Sequence, residues 1–289
     1  MLRRSQELAT ASKPHTQSVS APLRCVYVDL DGTLLGARAS LLHDGDGAFS
    51  LLGARALEAC ARAGAEVVLY SGRRRQTLFH DARLMGISCY AFEAGAGVVL
   101  DGEIHWLTGE LVPRGDKSIF DQIEESGAPA LLLERYAGRL EYHDPWHKDR
   151  DVSHLFRGDV DAFEADAVLE EAGLGHLRLV DNGGIHPQMP GIEHARAYHL
   201  VPAGASKAGG VAFHMRARGY TREQCIAIGD SREDLGAAAV VQTFWLVANG
   251  AERDPTITAA LTANARVTTE RNGAGVYEAV MAELLERRS

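Results

Sequence analysis

Residues 23–30, LRCVYVDL, form a short β-branched and aliphatic run that ends on the polar turn Asp31-Gly32-Thr33. Such a run has the pattern of a strand buried on both faces of a parallel sheet. Leu51, Leu52, Ala56, Leu57 and Cys60 then recur at helical spacing, with Gly64 placed to end the helix in the left-handed conformation. A second buried strand, AEVVLYS, follows, and then a helical stretch from about Arg73 to Met85 closed by Gly86. Strand, helix, strand, helix predicts a doubly wound α/β layer, a Rossmann-like parallel sheet with helices on both faces.

The alternation breaks between about Gly109 and Pro190. There the pattern predicts a helix bearing Ile119, Phe120 and Ile123 on one face, and two strands, LLLERY and RLEYH, joined by Ala137-Gly138. A further helix from about Val160 to Ala172 and a strand at HLRLVD complete the stretch. Mixed elements of this kind predict an α+β cap inserted over residues 109–190, dividing a core formed by residues 23–108 and 191–289. From about His194 the α/β rhythm is expected to resume. Ser206 is placed to cap a helix running to Gly219, Thr221 and Gln224 have capping-box spacing, and CIAIG reads as a third buried core strand. A final amphipathic helix carries Val276, Val280, Leu284 and Leu285. Residues 1–22 contain Arg, Ser and Thr without an apolar stretch, which predicts a disordered tail rather than a secretory signal.

Composition adds boundaries. In 289 residues, 46% are hydrophobic and 24% charged, an ordinary globular mix. The formal net charge of −9 repels phosphate backbones and anionic headgroups at long range, so no nucleic-acid or membrane partner is expected. No run approaches the roughly 18 apolar residues a membrane span requires. The four cysteines, Cys25, Cys60, Cys89 and Cys225, are scattered singly in apolar contexts, which predicts core residues and a cytoplasmic, reducing location.

Each strand of a doubly wound sheet points its carboxyl end at a common crevice. Three predicted strands deliver polar residues there: Asp29 and Asp31 from the first, Ser71-Gly72-Arg73 from the second, and Gly229-Asp230-Ser231 with Asp234 from the third. Lys207 adds an ammonium. Hard carboxylate oxygens beside a lysine suit a divalent metal and a phosphate. Strand alternation would point Asp29 and Asp31 the same way, so that one attacks and the other transfers protons, while Gly32 permits close approach of backbone N–H groups to an anion. An Asp-Gly pair alone marks an ordinary turn. The ordered set DLDGTL, Ser71, Lys207 and GDSRED is more specific.

In those four motifs the chain resembles the haloacid dehalogenase-like (HAD) superfamily. The position of the predicted cap resembles its type IIB branch, which includes the Cof-like, mannosyl-3-phosphoglycerate, sucrose-phosphate and trehalose-phosphate phosphatases. The resemblance implies a Mg²⁺-dependent phosphomonoesterase acting on a small phosphorylated metabolite, such as a sugar phosphate or phosphorylated sugar acid. It implies that Asp29 forms an aspartyl-phosphate and that Asp31 acts as general acid and base. It further implies that Ser71 and Lys207 contact the phosphoryl group, and that the Asp29 carboxylate, the Asp31 carbonyl and Asp230 hold Mg²⁺. Gly32, Thr33, Gly72, Arg73 and Asp234 would then surround the phosphate and metal. A phosphomannomutase-like phosphosugar mutase is the rival enzyme, and an inactive binding or regulatory protein the rival of another class. Two positions depart from the pattern: Ala94 where many type IIB members have Asn, so that any substrate contact made by that Asn is missing, and Glu233 where Asn is common, which puts the surroundings of the metal in question.

Other signals are weaker. Gly95 and Gly97 lack the third glycine of a dinucleotide fingerprint and fit a hairpin turn better. His143 and His147 have a zinc-compatible spacing, but Pro145 argues against a helix between them. The same cap loop, with Arg135, Trp146, Lys148, Arg150, Arg157, His186 and Gln188, supplies candidates for contacts with the leaving group.

Overall fold

Two sheets organise the chain, which is described from a computed structural model over residues 21–185 and 189–287. In the core, β1 (Cys25–Val28), α1 (Leu52–Ala63), β2 (Glu66–Tyr70), α2 (Arg75–Met85) and β3 (Tyr90–Phe92) follow in the expected alternation. The hairpin of β4 (Gly97–Leu100) and β5 (Glu103–Trp106) closes that half. The cap comprises α3 (Ile119–Glu125), α4 (Ala128–Arg135), β6 (Leu140–Tyr142), β7 (His154–Gly158), α5 (Ala162–Glu171), β8 (Leu177–Gly184) and β9 (Arg196–Pro202). The chain then returns through α6 (Lys207–Arg218), β10 (Cys225–Gly229), α7 (Arg232–Leu235), β11 (Thr243–Leu246), α8 (Ala248–Arg253), β12 (Ala265–Val267) and α9 (Asn272–Glu286).

The core sheet runs β12-β11-β10-β1-β2-β3-β4-β5, parallel from β12 to β3 and antiparallel in its last two strands. Alternation along β1 sends Val26 and Val28 into the layer with α1, α2 and α9, and Cys25 and Tyr27 into the layer with α6. Both faces are therefore covered, as the unbroken apolar strands require. The four cysteines are free and buried among these layers. Among the described residues, no helix is long and apolar enough to cross a membrane.

The cap sheet, β6-β7-β9-β8, is antiparallel throughout and buries Phe156, Leu179, Tyr198 and Leu200 against Ile119, Ile123, Leu132 and Leu169 of its helices. Two expectations are corrected. LLLERY lies on helix α4 and its flank, not on a strand: Gly127 in the left-handed conformation and Pro129 in the first turn start that helix, and Leu132 alone of the leucines is fully buried. The boundary expected at residue 190 falls inside the cap, because β9 at residues 196–202 is a central strand of the cap sheet. The Thr221–Gln224 capping box is present but closes a single 3-10 turn. Residues 1–20 of the expected tail lie outside the described residues.

The hairpin between β3 and β4 turns through Glu93, Ala94 and Gly95, all at positive φ (48°, 57° and 80°). Only Gly95 adopts this region without cost. Glu93 is held there by the cap: its fully buried carboxylate accepts from the Asp151, Val152 and Ser153 backbone N–H groups and from Ser153 Oγ. Ala94 stands at a left-handed position that Asn would tolerate better.

Candidate active site

The carboxyl ends of β1, β2 and β10 meet below the cap in a cleft of about 1200 Å³. Asp29, Asp31, Gly32, Ser71, Gly72, Arg73, Lys207 and Asp230 all line it. Asp29 and Asp31 reach the cleft from a turn rather than from a continued strand. The Leu34 and Leu35 N–H groups bond back to the Asp29 and Leu30 carbonyls, so Asp29 stays buried while the Asp31 side chain remains about half exposed.

Lys207 is the hub. Its Nζ donates to Asp29 Oδ1 at 2.9 Å and to Asp234 Oδ1 at 2.7 Å, and lies 3.6 Å from Glu233 Oε2, with the whole side chain buried. Burial alone would favour the neutral amine, but Asp234, Asp29 and Glu233 outweigh it and hold the ammonium charged well past the ordinary lysine range. Burial raises the Asp29 carboxyl, with Lys207 opposing and Asp234 and Asp230 adding to the rise. Asp230 is raised by burial against the pull of Arg253, whose guanidinium donates to Asp230 Oδ2 at 2.8 Å. Thr33 Oγ1 donates to the other Asp230 oxygen at 3.2 Å.

Asp29, Asp230 and Asp234 are all buried, with oxygens within 4.8 Å of one another. That donor set, hard carboxylate oxygens converging in one buried place, fits a hard divalent cation, whose charge would add to those of Lys207 and Arg253 in offsetting three buried acids. Asp234 is the least available of the three: Oδ1 takes the Lys207 bond and Oδ2 accepts from Asp230 N, Ser231 N and Ser231 Oγ. Gly32, at φ +86°, is required here, since a Cβ would lie 2.3 Å from Asp230 Oδ2.

Arg73 forks onto Asp31 through two bonds of 2.6 Å and reaches Asp81 at 2.7 Å with its third nitrogen. Ser71 is buried at the end of β2, its Oγ accepting from the Arg73 N–H at 3.2 Å. Glu233, whose departure from the usual Asn put the metal surroundings in question, serves Lys207 instead: Oε1 accepts the Lys207 backbone N–H at 3.1 Å. Burial, opposed by Lys207, raises its carboxyl from 4.5 to about 7.

A raised carboxyl stabilises the fold fully below its unfolded pKa, and that contribution is lost as pH rises toward the folded value. Glu233→Gln, which keeps the acceptor, is therefore expected to leave stability unchanged at pH 4.5 and to raise it above pH 7 by up to roughly 3 kcal/mol. Thermal melts at the two pH values measure the difference; a gain at low pH instead would contradict the assignment.

Of the cap candidates, His143 and Arg150 line the cleft and are buried, and Trp146 lines it while exposed. Lys148 does not line it: its ammonium pairs with Asp144 at 2.7 Å on the surface. Arg135 lies over the Tyr136 ring and Arg157 pairs with Glu141, both held by cap neighbours rather than by the cleft. His143 and His147 flank a loop, not a helix. His186 and Gln188 fall outside the described residues. Asn182, His199 and Arg253 also line the cleft and Glu93 ties its roof to the core, though no sequence motif marks them. Arg253 is the last residue of α8.

No family model matches the chain. Curated relatives include a phosphoglycolate phosphatase of Archaeoglobus fulgidus, 27% identical over 230 residues that cover 80% of this chain and 86% of that protein. Another, from Methanoculleus marisnigri, is 26% identical and covers 89% of this chain and 95% of its own length. Among solved structures, a Synechocystis sucrose-phosphatase in complex with sucrose and phosphate superposes with a TM-score of 0.63 at 13% identity, covering 91% of this chain and 98% of that one. A phosphatase of the haloalkanoate superfamily from Bacteroides thetaiotaomicron gives 0.63 at 15% identity, over 95% and 99%. A subclass IIB sugar phosphatase gives 0.57 at 16%, over 92% and 98%.

Proposed function

We infer that this chain, which has the capped fold of the haloacid dehalogenase-like phosphatases, is a phosphomonoester hydrolase acting through an aspartyl-phosphate on a small phosphorylated metabolite, most simply a sugar phosphate or phosphorylated sugar acid. The observation that carries the reading is the buried Asp29–Lys207–Asp234 chain in the cleft that Asp31 also lines. Lys207 engages Asp29 Oδ1 and leaves Oδ2 as the oxygen able to attack phosphorus in line, with the carboxylate oriented before substrate arrives. Ser71 Oγ, at the end of β2, is placed to donate to a non-bridging phosphoryl oxygen.

Asp31 stands nearer solvent, with both oxygens on Arg73. From there it is suited to deliver a proton to the departing alkoxide and then to take one from the water that hydrolyses the intermediate. Holding that proton requires the Arg73 fork to loosen as substrate enters. Asp29, the Asp31 backbone carbonyl and Asp230 would hold Mg²⁺, with Asp234 positioning Lys207 behind them. When bound, the cation supplies neutralising charge beside the transferring phosphoryl group.

A phosphate-release panel over sugar phosphates, nucleotides and phosphoglycerate derivatives tests this reading, run with Mg²⁺ and again after chelation. Release from a subset of small esters is expected, falling by more than about 100-fold without the cation. No release from any ester, or release indifferent to chelation, would overturn it. A product still phosphorylated at another carbon would favour the mutase.

A further inference from the structure

Above Ser71 and Gly72 the cap lowers His199 of β9 and Asn182 of β8 into the cleft. They come so close that a Cβ on Gly72 would lie 2.7 Å from His199 Nε2 and 3.0 Å from Asn182 Nδ2. The proton arrangement at His199 follows from its neighbours. Arg150 Nε, which can only donate, gives its hydrogen to Ser153 Oγ at 2.9 Å, and Ser153 Oγ gives its own hydrogen to Glu93 Oε2 at 2.9 Å. Ser153 Oγ therefore accepts from the third partner, His199 Nδ1, at 3.1 Å. With its proton on Nδ1, the buried imidazole presents a bare Nε2 lone pair beside the phosphoryl subsite. Burial, and the neighbouring charges of Arg150 and Lys207, keep the ring neutral.

Asn182 brings its Nδ2, a donor, to the same place, while its Oδ1 is buried with no hydrogen-bond partner among the described residues. The arginines lining the cleft, apart from Arg150, each have an acidic partner of their own. Arg73 pairs with Asp31 and Asp81, Arg74 with Asp149, Arg196 with Asp181, Arg232 with Asp254 and Arg253 with Asp230. Arg150 spends its nitrogens on Ser153, the Trp146 carbonyl and the Gly72 carbonyl. A leaving-group hydroxyl beside the ester would donate to His199 Nε2, whereas a carboxylate in the same place would set its negative charge against that lone pair.

We propose that His199 Nε2 and Asn182 form the leaving-group subsite, and that it selects a neutral polyhydroxylated phosphomonoester, an alditol or sugar phosphate with a free hydroxyl close to the ester, over a carboxylate-bearing one. This rests on the phosphatase reading and narrows it. A site built to accept from a hydroxyl rejects the analogue that lacks it, because its buried acceptor is then left unpaired.

The test compares glycerol 1-phosphate, ribitol 5-phosphate and hexose 6-phosphates with 2-phosphoglycolate and p-nitrophenyl phosphate, in the wild-type chain, in His199→Phe and in His199→Gln. At least one hydroxylated ester is expected to exceed 2-phosphoglycolate in kcat/KM by tenfold or more. In His199→Phe the ratio of kcat/KM for that ester to kcat/KM for p-nitrophenyl phosphate should fall by about 10- to 100-fold. His199→Gln, which restores an acceptor, should recover part of it. Equal losses on both esters would show that His199 reads the phosphoryl group or the fold, and would overturn the proposal. So would wild-type preference for 2-phosphoglycolate, although the phosphatase reading would survive that result. Absence of turnover on every ester would remove the phosphatase reading itself.

Discussion

Asp29→Asn is expected to abolish steady-state phosphate release, with kcat lower by about 10⁴-fold or more, the scale seen when a covalent nucleophile is lost. The substitution is nearly isosteric, so the fold should survive it. Asp29 is a carboxylate whose charge burial disfavours and which Asp230 and Asp234 crowd, and the neutral amide relieves that crowding while still accepting from Lys207 Nζ. Unfolding temperature should therefore hold or rise as activity disappears. Phosphate release and thermal melting on one preparation separate the two effects, and undiminished turnover would sink the nucleophile assignment. In the matching experiment on Asp31→Asn, the first displacement on an activated ester such as p-nitrophenyl phosphate needs little proton transfer, but hydrolysis of the intermediate does. A phosphorylated Asp29 peptide should then accumulate and be visible by mass spectrometry of the quenched protein.

What the sequence made legible is what short-range patterning controls. The runs at residues 25–28, 67–70 and 225–229 are apolar on both faces because both faces are covered, and the polar residues after them are legible for the same reason, since the strand direction fixes which end meets the crevice. Caps followed equally local rules, as at Ser206 and Gly219. The rest depends on partners far away in the chain. LLLERY has too few residues for periodicity to separate a strand from a helix, and the burial of Leu132 against the cap sheet decides it. RAYHLVP reads equally well as a core strand; it joins the cap because β7 and β8 leave a central place between them. His199 looks like an ordinary core histidine until Ser153, 46 positions away, fixes its proton, and Glu93 gives no sign of its role until the amides of residues 151–153 are laid over it.

Lys207→Met is expected to cost both activity and stability, in contrast to Asp29→Asn. Methionine fills similar volume, so the loss isolates the charge. Without the ammonium, Asp29, Asp234 and Glu233 remain buried with no cation among them, where removing one partner of a buried ion pair typically costs about 3–5 kcal/mol. The cost should depend on pH in a defined sense. Burial already raises the Asp29 and Glu233 carboxyls, the latter to about 7, and Lys207 is what opposes the rise in both. In its absence they bind protons more tightly still, so the variant should approach wild-type stability near pH 5 and fall away from it as pH climbs through 7 and the charged forms return. Combining Lys207→Met with Asp29→Asn should then recover part of the stability lost above pH 7, since one uncompensated carboxylate has gone, while activity stays abolished. A double variant no more stable than Lys207→Met alone would mean that Asp234 and Glu233 carry the whole electrostatic penalty. Lys207 would then be chiefly a support of the fold, and its hydrogen bond to Asp29 a consequence of that placement rather than the device that aims the nucleophile.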